Sequence, residues 1–292
     1  MTPIISVVVT CYNQEKYIKR CLDGIVMQKD CPAFEVIIGD DCSTDDTRKI
    51  IKQYTEKYKN FTLLNRKKNM GMLHNLKDCF AHCNGEYIAI CEGDDYWTDV
   101  HKLKKQYDAL SKDSNAYICF SDIKLLSDGK YQRCLHEQKS KLKKCVTIYD
   151  LFEHNYIGNF SCVMYKKQAL NFIPKSYYEN KLNADYTMHL YMLNASKYAI
   201  FLKEPMSVYR ILPDSISHKD TYPLNSIKLV RMLQDFNATT HNKYQENIDK
   251  FCTRLFYSEP VVLQPQNYKR IFGISFACRS KRIMIGIGLK KQ

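Results

Sequence analysis

The feature of this sequence that most constrains its fold is a repeated order of short apolar runs and amphipathic segments over roughly the first hundred residues. Residues 4–10 form a β-branched run, which is typical of a strand buried on both faces of a parallel sheet. Apolar residues then recur at helical spacing from Ile18 to Ile25. This order predicts an α/β fold with a mostly parallel sheet flanked by helices. The same order of strand, loop and helix recurs along the chain, with further predicted strands at residues 35–39, 61–64 and 87–91.

Acidic residues cluster where two of these predicted strands end. Asp40 and Asp41 follow the second strand, and Asp94 and Asp95 follow the fourth. Ligands of a parallel sheet bind beyond the carboxyl ends of its strands, so these carboxylates are expected at one edge. Because hard cations prefer oxygen ligands, we predict a divalent metal beside Asp94 and Asp95. The alternatives are a helix cap for this pair and turn chemistry for Asp40 and Asp41.

The composition favours a folded protein with anionic partners. A chain of 292 residues with 45% hydrophobic residues can build one large domain, or a domain with an appendage. Its 44 lysines and arginines against 31 acidic residues give a net charge of +13, which favours nucleotides, polyanions or an acidic membrane surface. The 13 cysteines include no CxxC pair, no window suits a membrane span, and the start lacks a basic leader. We therefore expect a cytoplasmic protein, either soluble or peripheral at the inner face of the membrane.

The second half of the chain is less regular, and it suggests a domain boundary. We predict a first domain at residues 1–220, with a nucleotide-binding half at 1–100 and an acceptor-side half at 101–220. A helical, basic C-terminal region is predicted at residues 221–292, which end in apolar residues mixed with lysine and arginine. This mixture suits a helix at an anionic membrane surface, and a solvated basic tail is the alternative.

Six short stretches of the chain occur together in a fixed order. The strong ones are ISVVVTCYNQEKYIKRCL, FEVIIGDDCSTDDT, NMGMLHN and GEYIAICEGDDYWTDVHKL, and the weaker ones are NADYTMHLYML and SVYRILPDSIS. Singly, a stretch such as VVTCYN or GDD is a weak signal. Together they resemble the family 2 glycosyltransferases, which have the GT-A fold. The strong matches cover roughly the first third of the chain.

The resemblance implies a nucleotide site at the first strand ends. Thr10 and Tyr12 match positions that pack against the base, and Asp41 matches the carboxylate that accepts a hydrogen bond from uracil N3. Asn69 and Gly71 match a loop that closes over the nucleotide, for which a simple helix start is the alternative.

The resemblance also implies a metal motif and a catalytic base. EGDDYW looks like the family's DxD-type motif, with Asp94 facing the ribose and Asp95 the metal. Asp185 is similar to the base that removes the proton of an acceptor hydroxyl, and an ordinary helix cap is its alternative role. The competing candidates for the base are Glu92, Glu179 and Asp214.

Three further residues are assigned by position or by departure from the family pattern. Arg210, in the VYR segment, is expected to bind diphosphate. Many relatives have a histidine after the tyrosine–arginine pair of this segment, whereas this chain has Leu212. His218 is a candidate substitute, and a surface histidine without this role is the favoured alternative. Trp97 is expected either beside the acceptor sugar or in the core.

By this resemblance the chain transfers a sugar, with inversion, from a nucleotide-diphosphate donor, preferably a UDP-sugar. The acceptor is then a hydroxyl of a glycan or lipid-linked saccharide, as for bacterial surface polysaccharides, and the cofactor is Mn²⁺ or Mg²⁺. A nucleotidyltransferase is a rival, but it usually has a glycine-rich loop near its first strand, and TCYNQEKY has no glycine. A nucleic-acid-binding protein should concentrate basic and aromatic residues in one patch, whereas here they are spread along the chain. No nucleic-acid partner is therefore expected.

Overall fold

The computed structural model describes residues 2–134, 144–179, 184–212 and 222–258. The chain forms two compact units, one at residues 1–212 and the other at residues 213–292. The first unit contains the sheet, and the described part of the second contains two helices. The functional halves at residues 1–100 and 101–220 stay a prediction.

The strands of the first unit form one mixed sheet. They are β1 (Ile5–Cys11), β2 (Phe34–Asp40), β3 (Phe61–Leu63), β4 (Tyr87–Glu92), β5 (Tyr96–Trp97), β6 (Ala116–Ser127), β7 (Lys130–Cys134), β8 (Cys145–Val146), β9 (Val163–Lys166) and β10 (Tyr198–Ile211). The order across the sheet is β3, β2, β1, β4, β9, β6, β10 and β5, while β7 pairs with β6 and β8 pairs with β10.

The helices follow the predicted alternation through the first hundred residues. They are α1 (Ile18–Val26), α2 (Thr47–Lys57), α3 (Met72–Ala81), α4 (Lys102–Ser111), α5 (Ile148–Leu151), α6 (Ala184–Ala195), α7 (Tyr222–Thr239) and α8 (Gln245–Ser258). In α1, the predicted apolar face of Ile18, Leu22 and Ile25 is fully buried. Helical periodicity therefore identified the side of this helix that packs on the sheet.

The first four strands have the parallel arrangement that the sequence predicts. β1 pairs in parallel with β2 and β4, and β2 pairs in parallel with β3. Val7, Val8 and Val9 of β1 are completely buried, as expected for a strand covered on both faces. The carboxyl ends of these strands share one edge of the sheet.

The sheet becomes mixed beyond β4. β9 lies antiparallel between β4 and β6, and β6 is parallel to β10. The sheet is thus parallel among β1 to β4 and again between β6 and β10, and the antiparallel strand β9 lies between these two parallel parts.

The described part of the second unit is a pair of helices, α7 and α8. The rings of Phe236 and Tyr244 stack with centroids 5.7 Å apart, and the Asn237 side chain accepts a hydrogen bond from the Tyr244 N–H at 2.9 Å. Among the described residues of the whole chain, no helix is both long and apolar enough to cross a membrane. The basic tail that was predicted to contact a membrane lies in residues 259–292, outside the described residues.

Candidate active site

The register of the parallel strands brings the predicted site residues to one edge. Thr10 in β1 lies beside Gly39 in β2 and Glu92 in β4, and the next pair is Cys11 with Asp40. The backbone continues this arrangement, because the carbonyl of Thr10 accepts a hydrogen bond from the N–H of Gly93 at 3.0 Å. The ends of β1, β2 and β4 therefore lie side by side at one edge of the sheet.

Asp41 connects the second strand end to the loop at residues 69–71. Its two carboxylate oxygens accept hydrogen bonds from the N–H groups of Met70 at 2.7 Å and Gly71 at 2.8 Å. Gly71 has a φ of +83°, a left-handed conformation in which a side chain is strained, and the Asn69 side chain accepts from its N–H at 3.1 Å. The structure thus brings Asp41, Asn69 and Gly71 together as one unit.

Asp40 has a structural environment. Its carboxylate is completely buried and accepts hydrogen bonds from the side chain of Ser43 at 2.5 Å and from Arg48 at 3.4 Å. These contacts close the turn after β2 and connect it to α2. Turn chemistry, the plain alternative for Asp40, explains these contacts.

Asp95 is fully enclosed by hydrogen-bond donors. One carboxylate oxygen accepts from the Asn159 amide and the Ser161 hydroxyl, each at 2.6 Å, and the other accepts from the backbone N–H of Arg210 at 2.9 Å. Burial, followed by the charge of Asp94, raises the pKa of Asp95 to about 8. The side chain of Asp95 therefore joins three segments of the chain rather than facing solvent.

Asp94 faces a different environment from its neighbour. Burial raises the pKa of Asp94, while the charge of Arg210 and a hydrogen bond from Gln14 oppose the rise. The Arg210 side chain reaches this loop, since its Nε donates a hydrogen bond to the backbone carbonyl of Asp94 at 2.8 Å. Of the two neighbouring aspartates, Asp94 is therefore the one whose pKa is influenced by the guanidinium of Arg210.

Glu92 and Asp185 complete an acidic cluster. Burial and then the charges of Asp95, Asp94 and Asp185 raise the pKa of Glu92 well above its usual range. Burial raises the pKa of Asp185 to about 6, and its carboxylate accepts from the N–H of Tyr186 at 2.7 Å. The charges of three carboxyl groups, from the loop after β4 and from α6, thus act on Glu92, and a divalent cation nearby would relieve this repulsion.

The carboxylates of this site suit a cation that is also coordinated by oxygens of a bound ligand. Within residues that the structure describes, no group of three or more histidine, cysteine or acidic side chains is arranged to hold a metal ion. Mg²⁺ and related ions commonly use only one or two protein carboxylates together with substrate phosphates. Asp94 meets this requirement better than Asp95, because the carboxylate of Asp95 already accepts three hydrogen bonds.

Trp97 and Tyr12 differ in accessibility. Trp97 is only 2% exposed, and its indole N–H donates to the carbonyl of Ser161 at 2.9 Å. The ammonium of Lys102 lies 4.4 Å from its ring centroid, and the burial of Trp97 corresponds to the core position, one of its two expected places. Tyr12 is 46% exposed at the end of β1, where its ring is open to a ligand.

The sequence patterns did not predict that Asn159 and Ser161 belong to the site. The Ser161 hydroxyl accepts from the N–H of Glu92 at 3.0 Å and donates to Asp95, so it joins both ends of the acidic loop. Neither a repeat nor a charged motif marks the segment GNFSC. Of the other predicted residues, Asp214 and His218 lie outside the described residues, and Glu179 pairs with His74 at 3.5 Å.

The fold and its acidic edge define an α/β protein of the GT-A type. The sequence profile of Glycosyl transferase family 2 matches residues 6–173, and the chain belongs to this family. The match includes Asp41, Asp94 and Asp95 and ends before Asp185 and Arg210.

Relatives and solved structures agree with this family. An uncharacterized protein of Mycobacterium tuberculosis is 34% identical over 214 residues, which are 73% of this chain and 60% of that protein. The chain thus spans about 60% of the length of such mycobacterial relatives. The putative teichuronic acid biosynthesis glycosyltransferase TuaG of Bacillus subtilis is 26% identical, covering 74% of this chain and 82% of TuaG.

The structural neighbours have the same fold at low sequence identity. Staphylococcus aureus TarS 1-349 in complex with UDP-GlcNAc has a TM-score of 0.66 and 20% identity, covering 91% of this chain and 77% of that one. The mannosyltransferase PcManGT of Pyrobaculum calidifontis, in complex with GDP-Man and Mn²⁺, has a TM-score of 0.60 and 16% identity, with coverages of 94% and 84%.

Proposed function

We propose that this protein transfers a sugar from a nucleotide-diphosphate donor to a hydroxyl group, with inversion at the anomeric carbon. The observation on which the proposal rests is the acidic cluster at the end of β4, where the charges of Asp94, Asp95 and Asp185 act on Glu92. Membership of the family supports the reaction class. The donor, the metal and the base each have further support.

The donor is a nucleotide sugar, for which a UDP-sugar is preferred. Each carboxylate oxygen of Asp41 accepts one backbone hydrogen bond, so each retains a lone pair for the N3–H of a uracil. The exposed ring of Tyr12 is available to stack on the base. Structural neighbours have been solved with UDP-GlcNAc and with GDP-Man, which supports a nucleotide-sugar donor of this general kind.

For the two aspartates of the metal motif we propose roles that differ from those implied by the resemblance. Asp94 is the proposed protein ligand of Mn²⁺ or Mg²⁺, and Asp95 positions the backbone of Arg210. Held there, the cation would supply positive charge for the diphosphate as it departs. Arg210 adds a second positive charge at the same loop, because its guanidinium reaches the Asp94 carbonyl.

Asp185 is the proposed base. With a pKa of about 6 it is mostly ionised at neutral pH, yet it is more basic than an ordinary aspartate. Its carboxylate takes the proton of the acceptor hydroxyl while the oxygen forms a bond to the anomeric carbon. The electron pair of the broken carbon–oxygen bond leaves with the diphosphate on the opposite face. One displacement therefore inverts the anomeric configuration.

The acceptor is proposed to be a growing cell-surface glycan, attached to a lipid carrier at the cytoplasmic face of the membrane. The name of TuaG refers to teichuronic acid biosynthesis, and this supports a surface polymer. A poly(ribitol-phosphate) beta-glucosyltransferase of Bacillus spizizenii is 39% identical over 95 residues, which are 32% of this chain and 15% of that protein.

Calorimetric titration of UDP, with and without Mn²⁺, tests this proposal. Wild-type protein is expected to bind UDP more tightly with Mn²⁺, and Asp94→Asn is expected to lose this metal dependence. Asp30→Asn is a matched control, because Asp30 is exposed, pairs with His101 at 3.0 Å and precedes β2 at the other end of that strand. An assay of products with a panel of UDP-sugars should detect UDP. Release of a sugar 1-phosphate, with transfer of UMP, would favour a nucleotidyltransferase, and absence of nucleotide binding would contradict the proposal.

A further inference from the structure

Two arginines near the acidic loop contact the same tyrosine ring. The guanidinium carbons of Arg20 in α1 and Arg210 in β10 lie 4.0 Å and 5.0 Å from the ring centroid of Tyr96. Arg210 also lies 5.0 Å from the ring centroid of Tyr17, and the hydroxyls of Tyr96 and Tyr131 are 2.7 Å apart. We call these five residues the arginine–tyrosine cluster.

The two guanidinium groups of this cluster are positively charged, and that of Arg210 acts on the carboxylate of Asp94. In the ranges of the chain that the structure describes, neither guanidinium forms an ion pair with a carboxylate. Arg20 is exposed, and Lys124 contributes another positive charge that acts on Tyr131. An anionic ligand would therefore meet several cations without displacing a protein carboxylate.

Tyr131 offers a hydrogen-bond donor beside these charges. Burial and the hydrogen bond to Tyr131 raise the pKa of Tyr96 to about 12, whereas the hydrogen bond from Tyr96 lowers the pKa of Tyr131. Either hydroxyl of this pair can be the donor, and when the Tyr96 hydroxyl donates, the Tyr131 oxygen accepts. The O–H of Tyr131 is then available to a ligand, and the side chain is accessible because the residue is 57% exposed.

The chemistry of the exposed groups selects the ligand. Arg20, Lys124 and the Tyr131 hydroxyl can all donate hydrogen bonds, and a guanidinium matches the oxygens of a phosphate in a bidentate fork. We propose that Arg20 and Tyr131, assisted by Lys124, bind a phosphate group of the acceptor, separate from the diphosphate of the donor. This assignment rests on the proposed glycosyl transfer, in which Arg210 serves the donor. It makes the acceptor a phosphate-bearing saccharide or polyol.

A binding experiment with a defined probe tests the assignment. The full chain is saturated with UDP and Mn²⁺ and titrated at constant ionic strength with glycerol 3-phosphate, and with glycerol as the uncharged control. Wild-type protein is expected to bind glycerol 3-phosphate alongside UDP and not to bind glycerol. Arg20→Ala and Tyr131→Phe are each expected to weaken binding of the probe about tenfold while leaving UDP affinity unchanged.

Two further variants separate specific recognition from general charge. Lys19→Ala removes a positive charge one residue away from Arg20, where Lys19 pairs with Asp23 at 2.7 Å, and it should leave probe binding unchanged. Arg20→Lys keeps the charge but loses the fork, so it should bind the probe with intermediate affinity. Equal losses in Lys19→Ala and Arg20→Ala would overturn the proposal.

The same measurements also distinguish a phosphate group of the acceptor from the diphosphate of the donor as the group that the cluster binds. Competition between glycerol 3-phosphate and UDP, or loss of UDP affinity in Arg20→Ala, would assign the cluster to the donor and overturn the acceptor site. Failure of the UDP-saturated protein to bind the probe would overturn it as well. Failure of the wild-type chain to bind UDP at all would contradict the proposed function instead. In that case the probe is titrated without UDP, and the same variants decide whether the phosphate site exists.

Discussion

Replacing Ser161 by alanine should destabilise the first unit, because this one hydroxyl satisfies two buried groups. Ser161→Ala removes the donor to the Asp95 carboxylate at 2.6 Å and leaves the N–H of Glu92 without its acceptor at 3.0 Å. Losing these two interactions in a buried place should lower the free energy of unfolding by about 2–4 kcal/mol. In a domain of this size that corresponds to a fall of about 5–10 °C in the melting temperature.

Ser207→Ala is the matched control for this measurement. Ser207 is as completely buried as Ser161, but its hydroxyl has no hydrogen-bond partner among the residues that the structure describes. The same substitution there should leave stability unchanged or raise it, because a buried hydroxyl without a partner is unfavourable. Both variants are compared with wild type by urea unfolding followed by circular dichroism. Equal effects of the two substitutions would refute the reasoning, since burial alone would then explain the loss.

The remaining predictions concern the base and the nucleotide loop. With a pKa of about 6 for Asp185, the transfer rate at pH 5 should be about one tenth of its value at pH 7 and should rise with pH between them. Asp185→Asn should lower the rate about 10²- to 10⁴-fold without changing UDP affinity, and a wild-type profile that inflects near pH 4 would exclude this base. Gly71→Ala should cost about 1 kcal/mol and weaken UDP binding, because its φ of +83° strains a side chain although nothing lies within 4 Å of an added Cβ. Gly71→Asn should retain most of the affinity, since asparagine tolerates this conformation better, and equal losses in both variants would argue for a different cause.

The sequence predicted those parts of the site that local patterns encode. Apolar runs identified β1, β2 and β4, and parallel pairing then required Thr10, Asp41 and Glu92 to lie near one edge. The register shows this for Thr10 and Glu92, and the hydrogen bond from the Asp41 N–H to the Cys11 carbonyl shows it for Asp41. The apolar face of α1 was likewise encoded by helical spacing. The assignments of individual roles to Asp41, Asp94 and Asp185 stay predictions.

The partners of Asp95 could not be predicted, because they come from distant segments. Asn159 and Ser161 lie 64 and 66 residues further along the chain, and the N–H of Arg210 lies 115 residues away. No periodicity or spacing specifies such tertiary hydrogen bonds. Trp97 was also ambiguous, because a tryptophan in a strand-end loop is compatible with either a ligand contact or a core position until the packing is known.

The bond between Asp95 and the Arg210 backbone has a consequence for how the polypeptide can be shortened. A fragment ending at residue 173, where the family match ends, would contain the complete acidic motif and both side-chain donors to Asp95. It would nevertheless lack the last strand and leave one oxygen of a buried carboxyl group unsatisfied. Expression boundaries for a minimal catalytic protein should therefore be drawn beyond β10, and the shorter piece should be prone to aggregation because β6 would lose its pairing with β10.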